Sequence, residues 1–413
     1  MKRTHGRLAW SLFAAIGVSC ALLISACGAS ETEAANTPIP TLNGQAGNFD
    51  NIEIDQGNHR LYVADRTDQG IDVFDISQPR AKFLKTIALS SRPNGLAISS
   101  DYRLYAGTEG GTVVVIDINR SSTSLHAVVA ELKTGSGVDL LDYNGPQHML
   151  LAGGANGSIT SIDTLTNEIQ GNFKVGSGLE QPRFNPADGM VYVTSPEADA
   201  LIQIDSADGT IKNKFPLGGC SPTGLAINPK LNAAVIACKS FVLAFDIKTG
   251  KTTTFDQVSG GDIVTYNGKV DRFLVASPHK AHRSVIGMFG GNPVGYIASV
   301  AAPGRGNSAA LDETNDVIYS PDTRSNQSGI VGSPRPSSLQ NSSPASAAIY
   351  GAMILVIAIV FWFVMRLGDP IQRHPAVPAP TPEPAPSVKP MRSWRRTPVE
   401  PATEGPPAPS IQT

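Results

Sequence analysis

Short apolar segments recur along the chain at nearly constant intervals, separated by polar turn residues. Each segment is only a few residues long, which predicts strands rather than helices. Seven of them are centred on residues 62, 105, 151, 192, 235, 274 and 318, so that successive centres lie 39 to 46 residues apart. This spacing predicts one supersecondary unit that is repeated seven times.

Three further strand-like segments accompany each centre. One precedes it, as in NIEI 51–54; a second follows 11–13 residues later and in the first five repeats ends in Asp; a third follows that, as in KTIAL 85–89. Four short strands about every 40 residues are typical of a β-propeller. The sequence therefore predicts an all-β, seven-bladed propeller over residues 37–332.

The recurrent aspartates mark the turns between the last two strands of a blade. Asp205 and Asp246 are each followed four residues later by Gly, and Asn167 takes the place of that Gly after Asp163. Asp side chains bond turn amides, and Gly or Asn accepts a positive φ. We interpret these aspartates as structural. The sixth repeat departs from the pattern, because SVIGMF 284–289 has no terminal Asp.

The last repeat ends near residues 329–331 without an outer strand. The segment TPIPTL 37–42 precedes the first repeat as outer strands precede the later ones. We therefore expect residues 37–42 to complete the seventh blade, since closing the ring removes exposed strand edges.

The two ends of the sequence resemble membrane signals. Residues 1–26 combine basic residues with an apolar run and end before Cys27 in a segment that resembles a bacterial lipobox. This predicts export, with Cys27 lipidated and a linker over 27–36. Ordinary cleavage nearby, or an uncleaved anchor, is the alternative.

Residues 347–365 contain 19 residues without a charge, enough for a helix that crosses the hydrocarbon core. A linker over 333–346 precedes them. The following 366–413 are rich in Pro and Arg, which predicts a disordered cytoplasmic tail under the positive-inside rule. The expected location is the bacterial cell membrane, with the propeller outside the cytoplasm.

An exported chain folds in an oxidising compartment. Cys220 lies just before the innermost strand of the fifth repeat, and Cys238 ends the strand that returns beside it. Both then lie at the same end of neighbouring strands, within reach of a disulfide. Two thiols alone make a poor metal site, so we predict a disulfide.

The stretches NFDNIEIDQGNHRLYVAD (48–65), GCSPTGLAINPKLNAAVIAC (219–238) and NSAALDETNDVIYSPD (307–322) resemble the YVTN-type bacterial surface β-propeller repeat family. The resemblance covers roughly residues 37–332 and includes the spacing of the two cysteines. It implies a propeller fold, and it implies no particular activity.

One polar residue lies 11 or 12 positions before each strand centre, where the chain begins the innermost strand. The seven candidate ligand-binding residues are Asp50, Asn94, Asp139, Gln181, Thr223, Asp262 and Asn307. One interpretation is a partly acidic rim of the central channel that binds a polar ligand or a divalent cation. The other is that each side chain caps its own turn.

Other candidates are weaker. Arg92, Glu180, Arg183 and Arg305 flank the predicted rim and could add selectivity. His279 and His282 have a spacing seen in metal sites, but they lie in a loop. The sequence indicates no catalytic residue, no resident cofactor and no set of metal-ligating residues. The net charge of −2 and the absence of a basic cluster argue against nucleic acid as a partner.

Three functions remain open on the sequence. We favour a non-catalytic, membrane-tethered module that binds a protein partner or a polar ligand. A metal-assisted propeller hydrolase or lactonase is the first alternative, and a structural component of the cell envelope is the second.

Overall fold

The computed structural model describes residues 35–278, 284–302 and 304–336. These residues form seven antiparallel sheets of four strands each, so the expected seven-bladed, all-β propeller is confirmed. The strands of each blade are given from the channel outwards. Blade one consists of Phe49–Asp55, Arg60–Asp65, Gly70–Asp75 and Lys82–Ala88, and blade two of Pro93–Ile98, Arg103–Thr108, Thr112–Asp117 and Val128–Lys133. Blade three consists of Val138–Asn144, Met149–Gly154, Ser158–Asp163 and Glu168–Lys174, and blade four of Pro182–Asn185, Met190–Ser195, Ala200–Asp205 and Ile211–Pro216.

The fifth and sixth blades consist of Pro222–Asn228, Ala233–Cys238, Val242–Asp246 and Thr252–Phe255, and of Val264–Asn267, Arg272–Ser277, Val285–Gly290 and Gly295–Ala301. The seventh consists of Ala310–Asp312, Val317–Asp322, Gly329–Pro334 and Ala35–Pro38. Two short 3-10 turns, Pro40–Leu42 and Gly145–Gln147, accompany them. Blade six has all four strands although its third strand lacks the terminal Asp.

The core lies between the faces of neighbouring blades. The second strand of each blade is almost wholly buried, whereas the outer strands alternate between exposed and covered positions, as in Lys82–Ala88. Tyr62, Tyr105 and Tyr192 occupy the repeated central position and are among the largest fully buried side chains. In blade seven the equivalent residue is Tyr319, one residue after the centre counted from the sequence. The repeated apolar triplets of the sequence are therefore the layer that joins one blade to the next.

The turn aspartates are structural, as the sequence indicates. The Asp163 carboxylate accepts hydrogen bonds from the backbone of Leu165 and Thr166, at 2.8 and 3.1 Å. The Asp246 carboxylate does the same for the two residues that follow Ile247. Asn167 has a φ of 57°, the conformation that Gly209 and Gly250 adopt in the equivalent turns.

The ring closes through the segment expected to do so, with a shift in its limits. Ala35–Pro38 pairs antiparallel with the third strand of blade seven, from Ala35 opposite Gly332 to Pro38 opposite Gly329. Residues 40–42 form a 3-10 turn instead of continuing the strand. Pro40 has no N–H to donate to a sheet and its φ is fixed, which accounts for the earlier end of the strand.

The predicted disulfide between Cys220 and Cys238 is confirmed. Their Cα atoms are 4.8 Å apart, within the range for a bridge, and both residues are fully buried between blades four and five. The backbone also joins them, because the N–H of Lys239 donates to the carbonyl of Cys220 at 3.0 Å.

Several expectations fall outside the described residues. These are the export signal, Cys27, the pair His279 and His282, the apolar segment 347–365 and the tail. Within 35–278, 284–302 and 304–336 the structure contains no helix with the length and hydropathy needed to cross a membrane.

Loss of the disulfide should destabilise the propeller without unfolding it. The bridge closes a loop of 18 residues, for which the constraint on the unfolded chain corresponds to about 3 kcal/mol. We expect the double variant Cys220→Ser/Cys238→Ser to lose about this much free energy of unfolding in urea. An unchanged midpoint in the variant would show that the bridge does not constrain this blade.

Gly224 should not tolerate a side chain. A Cβ at this position would lie 2.0 Å from the backbone oxygen of Asp262, on the next blade. We expect Gly224→Ala to cost about 3 kcal/mol of unfolding free energy, because the backbone of one blade must move away from the other. Gly176→Ala, where a Cβ meets nothing within 4 Å, is the matched control and should change stability by less than about 0.5 kcal/mol.

Candidate functional site

The inner strands carry an extra residue at the place where the chain begins them. In four blades the pairing with the second strand shifts by one residue, between Phe49 and Ile52 in blade one and at the equivalent places in blades two, three and five. Such a bulge turns a side chain out of the regular alternation. It directs the polar residue at this position toward the channel instead of toward the core.

The pairing also fixes which residue of each blade lies at this level. In blade four the N–H of Glu180 donates to the carbonyl of Thr194 at 3.0 Å, as the N–H of Asp262 does to Ala276 at 2.8 Å in blade six. Glu180, rather than Gln181, therefore corresponds to Asp50 and Asp262. The ring at this level consists of Asp50, Asn94, Asp139, Glu180, Thr223, Asp262 and Asn307.

Two of the three neutral members of this ring, Asn94 and Thr223, connect blades through their side chains. Asn94 donates its amide to the carbonyl of Val138 at 2.7 Å, and Thr223 donates its hydroxyl to that of Gly261 at 2.9 Å. These are bonds to the neighbouring blade, whereas the turn-capping interpretation requires bonds within the residue's own turn.

Gln181 is fully buried and joins three blades. Its side-chain oxygen accepts from the N–H groups of Leu225 and Val264, at 2.8 and 3.1 Å, and its amide donates to the carbonyl of Val264 at 3.0 Å. All of these partners are backbone groups. The role of Gln181 in the structure is consequently to connect blades, and its side chain is committed to that role.

The acidic members, Asp50, Asp139, Glu180 and Asp262, form what we call the acidic ring. Burial, together with repulsion from Asp139 and Asp262, raises the pKa of Asp50 to about 7. Burial followed by the repulsion of the three aspartates raises the pKa of Glu180 to about 7. Burial and the charge of Asp139 raise the pKa of Asp262 to about 6. The four carboxyls therefore act on one another across the channel.

One guanidinium lies beside this ring. Arg66 follows the second strand of blade one, and its Nη1 is 3.4 Å from a carboxylate oxygen of Asp50. Arg66 also donates a hydrogen bond to the side-chain oxygen of Asn94 and forms an ion pair with Glu109. Arg92 lies 3.8 Å from the carboxylate of Glu109 as well. Because Glu109 shares the charge of Arg66, the four carboxyls of the ring are only partly neutralised.

The acidic ring does not have the geometry of a metal site formed by protein side chains alone. Among the described residues no three His, Cys, Asp or Glu side chains lie close enough to hold one metal ion together. Arg92 is more than half exposed and Arg305 is exposed, so both lie outside the ring. The ring is suited to a larger cationic group that can approach several carboxyls, such as an ammonium or a guanidinium.

A second ring lies three residues further along the inner strands, and the sequence analysis did not identify it. Each member pairs with the central residue of the second strand, as Glu53 does with Tyr62 and Arg183 with Tyr192. It consists of Glu53, Ala97, Asp142, Arg183, Ala226, Thr265 and Ala310. We call it the middle ring. A search for ionisable residues three positions after the predicted rim would have found Glu53 and Asp142, but counting from Gln181 would have given Phe184 in place of Arg183.

The middle ring lines a cavity of about 440 Å³ on the channel axis. All seven inner strands contribute to its wall, together with Pro146, Pro186 and Pro229 from the turns that follow three of them. The cavity therefore extends toward the face of the disc opposite the acidic ring. Its volume is that of a small-molecule site.

The three charged groups of the middle ring differ in how fully they are paired. Arg183 lies 3.5 Å from Asp142 and donates to the carbonyls of Leu141 and Pro182, at 3.1 and 2.9 Å. Asp142 accepts the N–H of Phe184 at 2.7 Å. Glu53 has no side-chain hydrogen bond to any described residue, and burial raises its pKa to about 7, with Arg183 opposing and Asp142 adding to the rise.

No family model matches the chain, and no curated protein matches it. A chain in the crystal structure of the mitotic checkpoint complex is similar in fold, with a TM-score of 0.59 and 12% identity over 74% of this chain and 92% of that chain. At this identity the likeness shows the fold alone. The protein is thus a β-propeller in fold, and the fold by itself assigns no activity.

The acidic ring should make the propeller less stable as the pH rises. The folded pKa of Asp50 and Glu180 is about 7 and that of Asp262 about 6, whereas unfolded carboxyls titrate near about 4. The unfolded chain therefore releases its protons first, and stability present below pH 4 is lost as the pH rises through 7. Asp117, whose pKa is lowered to about 2, changes the pH dependence of stability only below pH 4.

Asp50→Asn changes the unfolding free energy at each pH. We expect this change to be more stabilising at pH 8 than at pH 5 by roughly 2 kcal/mol. Urea unfolding of the parent and the variant at both pH values measures this difference. Glu168→Gln, on an exposed outer strand, is the control and should change the unfolding free energy by the same amount at both pH values. A variant that gained nothing at pH 8 would contradict the burial of an ionised Asp50.

Proposed function

We propose that the protein is a membrane-tethered, extracytoplasmic propeller that acts as a non-catalytic binding module. The acidic ring at the channel end is the surface that receives its protein partner or polar ligand. The observation that supports this most directly is the group of four partly buried carboxyls, Asp50, Asp139, Glu180 and Asp262, with Arg66 beside Asp50. A cationic group placed among them would relieve their mutual repulsion.

The tether rests on the sequence. The segment that ends at Cys27 resembles a lipobox, and residues 347–365 are apolar enough to cross a bilayer. The disulfide between Cys220 and Cys238 supports the same location, because such bridges persist in oxidising compartments. The resemblance to YVTN-type surface propellers is a further support for a position outside the cytoplasm.

A hydrolase is the second candidate, and the raised pKa values of the ring favour it. Buried carboxyls with such values also occur in active sites, where they move protons. The hydrolase proposal requires a bound divalent ion that bridges the ring through water, since the carboxyls are too far apart to bind an ion jointly. Elemental analysis of the purified protein therefore separates the two candidates.

Neutralising the acidic ring should remove the binding of the partner. We expect in-cell crosslinking of the full-length protein to capture a stoichiometric partner, and Asp139→Asn/Asp262→Asn to reduce its yield at least tenfold because two attractive charges are lost. Glu131→Gln/Glu168→Gln removes two exposed charges from outer strands and is the control. Capture that is equal in both double variants would contradict the proposal, and a stoichiometric divalent ion lost in Asp139→Asn would favour the hydrolase.

A further inference from the structure

The wall of the axial cavity offers more hydrogen-bond acceptors than donors. Asn51 and Asn144 both line the cavity, are 5% and 2% exposed, and have side-chain oxygens that are buried without a hydrogen-bond partner in the described structure. The amide of Asn144 is already committed, because it donates to Gln147 at 2.7 Å. Buried acceptors of this kind are normally paired, so each indicates a donor that arrives from elsewhere.

The carboxyl of Glu53 adds to this excess. It belongs to the middle ring, and no described residue donates a hydrogen bond to it. The one guanidinium in the ring, Arg183, is engaged by Asp142 and by backbone carbonyls. With Arg183 and Asp142 balancing one another, the remaining charge in the cavity above pH 7 is the negative charge of Glu53.

Three further donors in the wall are committed to protein acceptors. The hydroxyl of Thr265 donates to the carbonyl of Ala309 at 2.9 Å, and the amide of Gln56 donates to Leu311 at 2.7 Å. The amide of Asn267 donates to Glu313 at 2.8 Å. A ligand for this cavity must therefore bring donors and a positive charge, which is the chemistry of an ammonium group.

The rest of the wall is apolar. Leu96, Ile98, Phe184, Ile227 and Leu311 enclose the space around the polar groups. A volume of about 440 Å³ holds a small molecule, and all seven inner strands contribute to the wall around it. The cavity is thus matched to a compact molecule with an apolar body and one charged nitrogen.

We propose that the axial cavity binds a small amine, whose ammonium group donates to Glu53, Asn51 and Asn144 and whose apolar body lies against the hydrophobic wall. This site is separate from the acidic ring, which lies toward the other end of the channel. It does not depend on the function proposed for that ring.

Calorimetric titration of the full-length protein in detergent with 2-phenylethylamine tests this proposal. Two probes of similar shape, 2-phenylethanol and 3-phenylpropanoate, replace the ammonium by a neutral and an anionic group. We expect the amine to bind at least ten times more tightly than the alcohol, and the carboxylate not to bind. Equal affinity for the amine and the alcohol, or no saturable binding of the amine, would overturn the proposal.

The residues are tested by matched variants. Glu53→Gln keeps the shape of the side chain and should weaken amine binding at least tenfold, whereas Glu131→Gln on an exposed strand should leave it unchanged. Asn144→Ala should weaken it threefold or more, and it provides a second test should Glu53→Gln fail to fold, as judged by circular dichroism. An affinity that neither variant reduces would show that the amine binds elsewhere.

The acidic ring is the competing site for any cation. Asp139→Asn/Asp262→Asn should leave amine affinity within twofold of the parent protein. If amine binding were lost in this variant and kept in Glu53→Gln, the cavity proposal would fail while the proposed role of the ring would stand. The two proposals are thus distinguished by the same titration.

Discussion

Every inner strand of this propeller has a sheet partner on only one side, and its other edge faces the channel. The backbone groups on that edge need hydrogen bonds that no neighbouring strand supplies. Polar side chains from adjacent blades supply several of them: Ser308 accepts the N–H of Ile52, and Asp142 accepts that of Phe184. The polar character of the channel therefore follows first from the architecture.

This constraint separates structural from functional candidates. Asn94, Gln181 and Thr223 are polar because their side chains satisfy backbone groups of a neighbouring blade. Asp50 and Glu53 are different, because Asp50 is paired only with Arg66 at 3.4 Å and Glu53 has no side-chain hydrogen bond to a described residue, so that burial raises the pKa of both. Uncompensated burial of a carboxyl lowers stability, so its presence at two levels of one channel supports a role in binding.

Glycine occurs in two of the four bulges for a steric reason. Gly95 and Gly224 occupy the second position of the bulge in blades two and five, where a Cβ would meet the backbone of the next blade. Close approach of the inner strands brings the rings of side chains together on the axis. The acidic ring and the cavity thus depend on contacts that involve no ligand.

Most of the fold could be predicted from the sequence. The 39 to 46 residue spacing and the four short segments per repeat specify seven blades, since each segment is one strand long and cannot bury its apolar face alone. The pairing of Cys220 with Cys238 followed from the hairpin that separates them. The predicted limits of the closing strand, residues 37–42, were wrong. The strand is Ala35–Pro38, and Pro40 prevents it from continuing to residue 42.

The site could be predicted only in part. Counting residues from the strand centres found the level of the acidic ring. The hairpin of blade two is one residue shorter than that of blade four, so that no single count fits both, and in blade four the count gave Gln181 instead of Glu180. Sequence determined the repeat, the strands and the type of residue at each turn, because these depend on neighbours along the chain. Tertiary structure alone decided which carboxyls repel one another, and that Glu53 lies unpaired beside Arg183 and Asp142, because these residues are far apart in sequence and meet only on the axis.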